Sequence, residues 1–273
     1  MDNNGLLTAI APGKAIVTVT TKDGGFTASC ALTVMEIGNE EWMYGYSVDE
    51  KAFIRFDLNM PDVEGEKVLA YDAGTNSDGD QIYPKGTEYL DGYVYFAQLN
   101  SKGNSNLYRW NMNDNSIEEF MTELKTTDGY DMVATDMASI GKDLYLMSGD
   151  GLYTVNTETK IMEKVVPDNS WSSPAITAVD DKTIVGQMGN GREIIYTKTD
   201  KGWTASRPNK YNNLRFDDED YSLSSAVTLN NVMYVCSGKK LYTLNYTAYE
   251  ATKVGEIGIG KLSSVFVVPS KNN

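Results

Sequence analysis

Residues 107–111 read Leu-Tyr-Arg-Trp-Asn, 152–156 Leu-Tyr-Thr-Val-Asn, 195–199 Ile-Tyr-Thr-Lys-Thr and 241–245 Leu-Tyr-Thr-Leu-Asn. The tyrosines at 108, 153, 196 and 242 are therefore 45, 43 and 46 residues apart. A degenerate fifth copy, Phe53-Ile54-Arg55-Phe56-Asp57, puts Ile54 another 54 residues upstream of Tyr108. Each full copy follows a hairpin strand and a turn containing Gly or Ser. After it come a polar turn and a further strand, such as Met162–Val166 or Ala251–Val254. Four strands in about 40–50 residues, repeated, is the pattern of a β-propeller blade.

Between the repeats the chain alternates with period two. Ala15–Thr20, Tyr93–Phe96, Leu144–Met147 and Val232–Val235 are β-branched or aromatic runs, punctuated by Asp91-Gly92, Gly141-Lys142, Asp180-Asp181 and Asn230-Asn231. Residues 116–125 (SIEEFMTELK) have a helical apolar spacing, but their place in the repeat assigns them to a strand. The innermost strands are expected over 82–90, 133–140, 173–179, 223–229 and 262–268. Residues 262–268 (LSSVFVV) resemble 223–229 (LSSAVTL), and the unit near Trp42 has no first strand of its own. The C-terminal strand is thus expected to complete the first blade. Ring closure would leave no open edge between first and last blades.

Composition sets bounds on function. Asp and Glu number 38 against 24 Lys and Arg, a formal net charge of −14, which disfavours a nucleic-acid partner. No histidine is present, so Ser-His-Asp and Cys-His chemistry, His-ligated zinc and an imidazole switch are excluded. No apolar run approaches a membrane span. Cys30 and Cys236 both sit in strand-like runs and are expected to be buried thiols.

Residues 4–35 (NGLLTAIAPGKAIVTVTTKDGGFTASCALTVM) carry Gly-x-x-Thr-Ala, an alternating strand, a Gly24-Gly25 hairpin and Thr-Ala-Ser-Cys-Ala-Leu-Thr-Val in order. This segment resembles the C-terminal half of a group-2 bacterial immunoglobulin-like domain. The later repeats are similar to a loose bacterial family of propeller repeats with a Leu-Tyr-x-aliphatic-Asn/Asp core. The expected fold class is all-β: a five-bladed β-propeller over 37–273, preceded by a truncated Ig-like β-sandwich segment over 1–36.

The first residues lack the basic and apolar regions of a signal peptide, which taken literally indicates the cytoplasm. The Ig-like resemblance implies instead a bacterial cell-surface or secreted protein. Three strands cannot close a sandwich, so the chain is expected to be part of a longer multidomain protein, its export signal lying upstream.

In a propeller the inter-blade connections and the second-to-third-strand loops share one face. Here the inter-blade loops are acidic and aromatic, and long loops on a rigid scaffold are where ligands are met. Asp128, Tyr130, Asp131, Trp171, Tyr211, Asp217 and Tyr221 are the candidate ligand-binding residues, with the aromatics as platforms and the carboxylates as acceptors. The expected role is non-enzymatic adhesion to an extracellular glycan or protein.

Two alternatives remain. A glycosidase-like enzyme would use Glu88 and Asp136, the two acids on the expected innermost strands. A structural spacer would bind nothing. No cofactor is expected. Asn76, Asp78 and Asp80 form a weak calcium pattern, because Gly74 and Lys85 occupy the positions where a calcium loop carries anchoring carboxylates.

Overall fold

The computed structural model describes residues 13–34, 42–59, 61–62, 65–166, 171, 173–188, 190–212 and 224–269. The chain divides into two compact units, 1–41 and 42–273, five residues beyond the boundary expected from sequence. In the first, β1 (Gly13–Thr20) and β2 (Thr27–Val34) form an antiparallel hairpin with Thr20 opposite Thr27. Its turn places Gly25 at φ 67°, and the Thr21 N–H donates to the Phe26 carbonyl at 2.9 Å. The hairpin agrees with the sequence reading; the third strand expected there lies outside the described residues. Cys30 is exposed rather than buried, since its hairpin has no second sheet over it among the described residues, whereas Cys236 is buried.

The second unit is a five-bladed β-propeller. Its first blade contains β3 (Trp42–Ser47), β4 (Ala52–Asp57) and β5 (Glu66–Ala70). The second is β6 (Lys85–Leu90), β7 (Tyr93–Leu99), β8 (Ser105–Asn111) and β9 (Ile117–Met121). The third is β10 (Ala134–Ile140), β11 (Asp143–Ser148), β12 (Gly151–Val155) and β13 (Met162–Lys164). The fourth is β14 (Ala175–Ala178), β15 (Thr183–Gln187), β16 (Glu193–Thr199) and β17 (Gly202–Ser206). The fifth is β18 (Ser224–Leu229), β19 (Val232–Ser237), β20 (Lys240–Asn245) and β21 (Glu250–Glu256). The last strand, β22 (Leu262–Phe266), pairs antiparallel with β3 and completes the first blade in the order β22-β3-β4-β5.

The repeat motif is the third strand of every blade, and its alternation explains the packing. Leu107, Leu152 and Leu241 are buried, as are the rings of Tyr153 and Tyr196, while Tyr108 and Tyr242 are half-buried. Between the first and second blades the core is aromatic. Phe53 lies 5.0 Å from Trp110 and 5.3 Å from Phe96, edge and tilted contacts that ring quadrupoles favour. Residues 117–121 are a strand, as their repeat position requires. Among the described residues no helix is long and apolar enough to cross a membrane.

Around the axis the five inner strands touch in a closed circuit: β22 beside β6, then β10, β14, β18 and β22 again. Three of them carry a β-bulge at the same level, between Lys85 and Thr87, Ala134 and Asp136, and Leu262 and Ser264. Two of the bulged residues tie one blade to the next. Ser263 Oγ donates to the Pro84 carbonyl at 2.6 Å, and Thr135 Oγ1 to the Ser173 carbonyl at 2.9 Å. The third bulged residue is Gly86, at φ 54°, where a Cβ would meet the Asp136 backbone at 2.6 Å. Only glycine allows β6 to come that close to β10. Gly45 plays a similar part at the closure, since a Cβ there would lie 2.5 Å from the Ser264 carbonyl.

Candidate functional site

The inner strands enter from the face that carries the inter-blade loops, so the side chains just past the bulges line the upper channel. Here the chain places Thr87, Asp136 and Ser264, joined by Ser225 of the unbulged β18, all buried. Asp136 is the hub. Its Oδ2 accepts from the Ile176 N–H at 2.9 Å and the Ala226 N–H at 3.1 Å, and its Oδ1 from Ser225 Oγ at 3.0 Å. Ser225 Oγ in turn accepts from the Val265 N–H at 3.2 Å. One carboxyl group of the third blade thereby joins the fourth and fifth blades, and through Ser225 the first. Burial pushes its pKa up, against the pull of the backbone donors and of Ser225.

Glu88 lies deeper along β6. It is half-buried and accepts from Ser139 Oγ at 2.6 Å. Because Gly86 is level with Asp136 and Glu88 with Ser139, the two carboxyls are offset by roughly 7–10 Å along the strands, from a rise of about 3.3 Å per residue. Asp136 is completely enclosed. The sequence pointed to both acids, and the structure gives Asp136 three donors and no open side.

The loop face holds the other candidates. After β9, residues 125–131 form a tight hairpin: Thr126 N–H donates to the Tyr130 carbonyl at 2.9 Å, and Gly129 N–H to the Thr126 carbonyl at 2.9 Å. Residues 75–81 repeat this turn one blade earlier, with Asn76 N–H donating to the Asp80 carbonyl and Gly79 N–H to the Asn76 carbonyl. In both, an Asp-Gly pair supplies the glycine at positive φ. Asn76 Oδ1 accepts from the Asp78 and Asp80 N–H groups at 3.0 and 2.8 Å, so it caps this turn from within. Among the described residues no group of three acidic or sulfur ligands could hold a metal.

On the 125–131 hairpin Asp131 pairs with Lys125, Asp128 is exposed and Tyr130 stands 73% exposed at the tip. Two blades on, Tyr211 is 50% exposed, and the Arg192 guanidinium lies 5.1 Å from its ring centre. Trp171 is half-buried against the core of the third and fourth blades, with Arg207 4.8 Å over its ring. Its carbonyl accepts from the Tyr196 hydroxyl at 2.9 Å, so a repeat tyrosine anchors Trp171. Asp217 and Tyr221 lie outside the described residues.

Sequence reasoning missed the cluster that fixes Tyr211. Its neighbour Asn212 is buried and donates from Nδ2 to Gln187 Oε1 at 2.8 Å and Glu193 Oε1 at 2.9 Å. Its N–H donates to the Gly191 carbonyl at 2.8 Å. Burial pushes Glu193 up to about 7, with the Asn212 bond opposing. The available signal was an acid three residues before the repeat tyrosine, at Asp150 and at Glu193.

No protein-family model matches the chain, and no curated protein matches it. Solved structures do. A chain of a nidogen/laminin complex is 9% identical, covers 84% of this chain and 98% of its own length, and has a TM-score of 0.55. TolB from Acinetobacter baumannii is 9% identical over 91% of this chain and 67% of that one, with a TM-score of 0.48. The extracellular domain of a hybrid two-component system from B. thetaiotaomicron is 14% identical over 77% and 29%, with a TM-score of 0.43. At such identities the likeness to the nidogen/laminin chain concerns the fold. The class defined here is an all-β, five-bladed propeller closed by its C-terminal strand, with an acidic and aromatic loop face.

Proposed function

We propose that the chain is a non-enzymatic binding module of a bacterial surface or secreted protein, and that its loop face recognises an extracellular glycan. The observation that carries this reading is the pairing of exposed aromatic platforms with rigid supports. Tyr130 stands on a hydrogen-bonded hairpin, and Tyr211 is held by Arg192 and by buried Asn212. Pre-set rings with carboxylates nearby suit sugar faces and hydroxyls, and little ordering is left for the moment of binding. Use of the same fold in the nidogen/laminin complex is in keeping with a binding role. The exposed Ile16, Val19 and Phe26 of the hairpin support reading it as part of an Ig-like sandwich within a multidomain chain.

Replacing Tyr130 and Tyr211 together by Ala is expected to weaken glycan-array binding at least tenfold and to leave the melting temperature within about 2 °C. Loss of two exposed rings removes contacts but little core. Undiminished binding by the double variant would rule out this face.

A further inference from the structure

Lys85 opens β6, and its ammonium group has no carboxylate within ion-pair distance among the described residues. Its Nζ lies 5.7 Å from the centre of the Tyr83 ring. Burial lowers its pKa from the usual lysine value. An unmatched cation is unusual in a chain with fourteen excess negative charges.

Lys85 lines a cavity of about 180 Å³ on the loop face, together with Tyr83, Gln98, Ser105, Asp80 and Gln81. The hydrogen-bond inventory of this lining is incomplete in a specific way. Gln98 Oε1 is taken by the Tyr71 hydroxyl at 2.7 Å, which leaves its amide protons as donors. Ser105 Oγ accepts from the Ala134 N–H at 3.0 Å, which leaves its hydroxyl proton. On the other side Gln81 Nε2 is spent on the Val48 carbonyl at 3.1 Å, leaving Oε1 as an acceptor, and Asp80 adds a carboxylate. A simple anion would use the donors and be repelled by Asp80. A neutral sugar would leave Lys85 unmatched.

We propose that this cavity binds a single hexuronate unit of an otherwise neutral glycan, its carboxylate on Lys85 and its ring against Tyr83. Gln98 and Ser105 supply further donors, while Asp80 and Gln81 accept from the sugar hydroxyls. The overall negative charge disfavours polyuronates and restricts the ligand to isolated uronate residues. This inference rests on the glycan-binding reading of the loop face and names one sugar class for it.

The test is calorimetric titration of the full chain with methyl glucuronoside, methyl glucoside and acetate. The glucuronoside is expected to bind at least tenfold more tightly than either of the others. Lys85→Gln is expected to abolish that preference, and Lys85→Arg to keep most of it, with both variants folded by circular dichroism. Equal binding of glucoside and glucuronoside, an unchanged preference in Lys85→Gln, or acetate as tight as the glucuronoside would each overturn the proposal. Absence of uronate binding alongside glycan-array binding that depends on Tyr130 and Tyr211 would remove this inference alone. Absence of both would remove the glycan reading as well.

Discussion

Asp136→Ala is expected to destabilise the propeller by about 3–5 kcal/mol, read as a lower denaturant midpoint with an unchanged slope. The substitution leaves the Ile176 and Ala226 N–H groups buried without an acceptor, and Ser225 without its partner. Each orphaned buried donor costs about 1–3 kcal/mol, whereas the cavity left by so small a side chain adds less. Asp136→Asn separates this account from simple burial of a costly charge. Its Oδ1 could still accept the two backbone N–H groups, but its Nδ2 would face Ser225 Oγ, which already accepts from Val265. A loss of roughly 1–2 kcal/mol is therefore expected for Asn, clearly less than for Ala. Were Asp136 only a desolvated charge, both variants would match or exceed the parent in stability. An unchanged midpoint for Asp136→Ala would show that the hub does not hold the blades together.

The repeat was legible because it is a statement about the third strand of each blade, where alternating burial forces Leu or Ile and Tyr to recur. Closure was legible for a similar reason: Leu262–Val268 repeats Leu223–Leu229, and an inner strand is recognisable by its small hydroxyl residues. The role of Asp136 was not. Nothing in the run Ala134-Thr135-Asp136-Met137 says that donors from residues 176 and 226 converge on it, because those contacts span 40 and 90 positions. Cys30 was misread because alternation marks which residues share a face, not whether another sheet covers that face. The loop hairpins at 75–81 and 125–131 show the converse. Their Asp-Gly pairs were visible, but that Asn76 caps its own turn is seen only in its bonds to the Asp78 and Asp80 N–H groups. Lys85 entered the sequence reading only as a departure from a calcium pattern, because a missing counter-ion is a property of three-dimensional surroundings.

The pH dependence of stability is expected to run opposite to that of a protein held by surface ion pairs. Burial among the inner strands pushes Glu88 up to about 8, although Ser139 donates to it, and burial pushes Glu193 up to about 7. In the unfolded chain both titrate near 4.3. Between these values the folded state holds protons that the unfolded state has released. Their contribution is thus fully present below about pH 4 and is lost as pH rises through 7 for Glu193 and 8 for Glu88. Exposed acids act in the other direction. Lys51 holds Asp72 below the carboxylate range, Lys102 does so for Glu123, and Lys253 for Glu256, so their contribution fades in acid. Stability should therefore peak near pH 4–5 and fall by roughly 3–6 kcal/mol by pH 8.5, taking about 1.4 kcal/mol per unit and discounting Glu88 for its remaining water contact. With no histidine in the chain, no imidazole titrates in that window to confuse the slope. Urea melts at pH 5, 6.5 and 8.5 measure it directly. Glu88→Gln and Glu193→Gln together, which fix the neutral form, should reduce the slope, leaving the part that belongs to Asp136, whose pKa burial also raises. A parent whose stability rises between pH 5 and 8.5, or a double variant that keeps the full slope, would show that these two carboxyls are not held protonated by the fold.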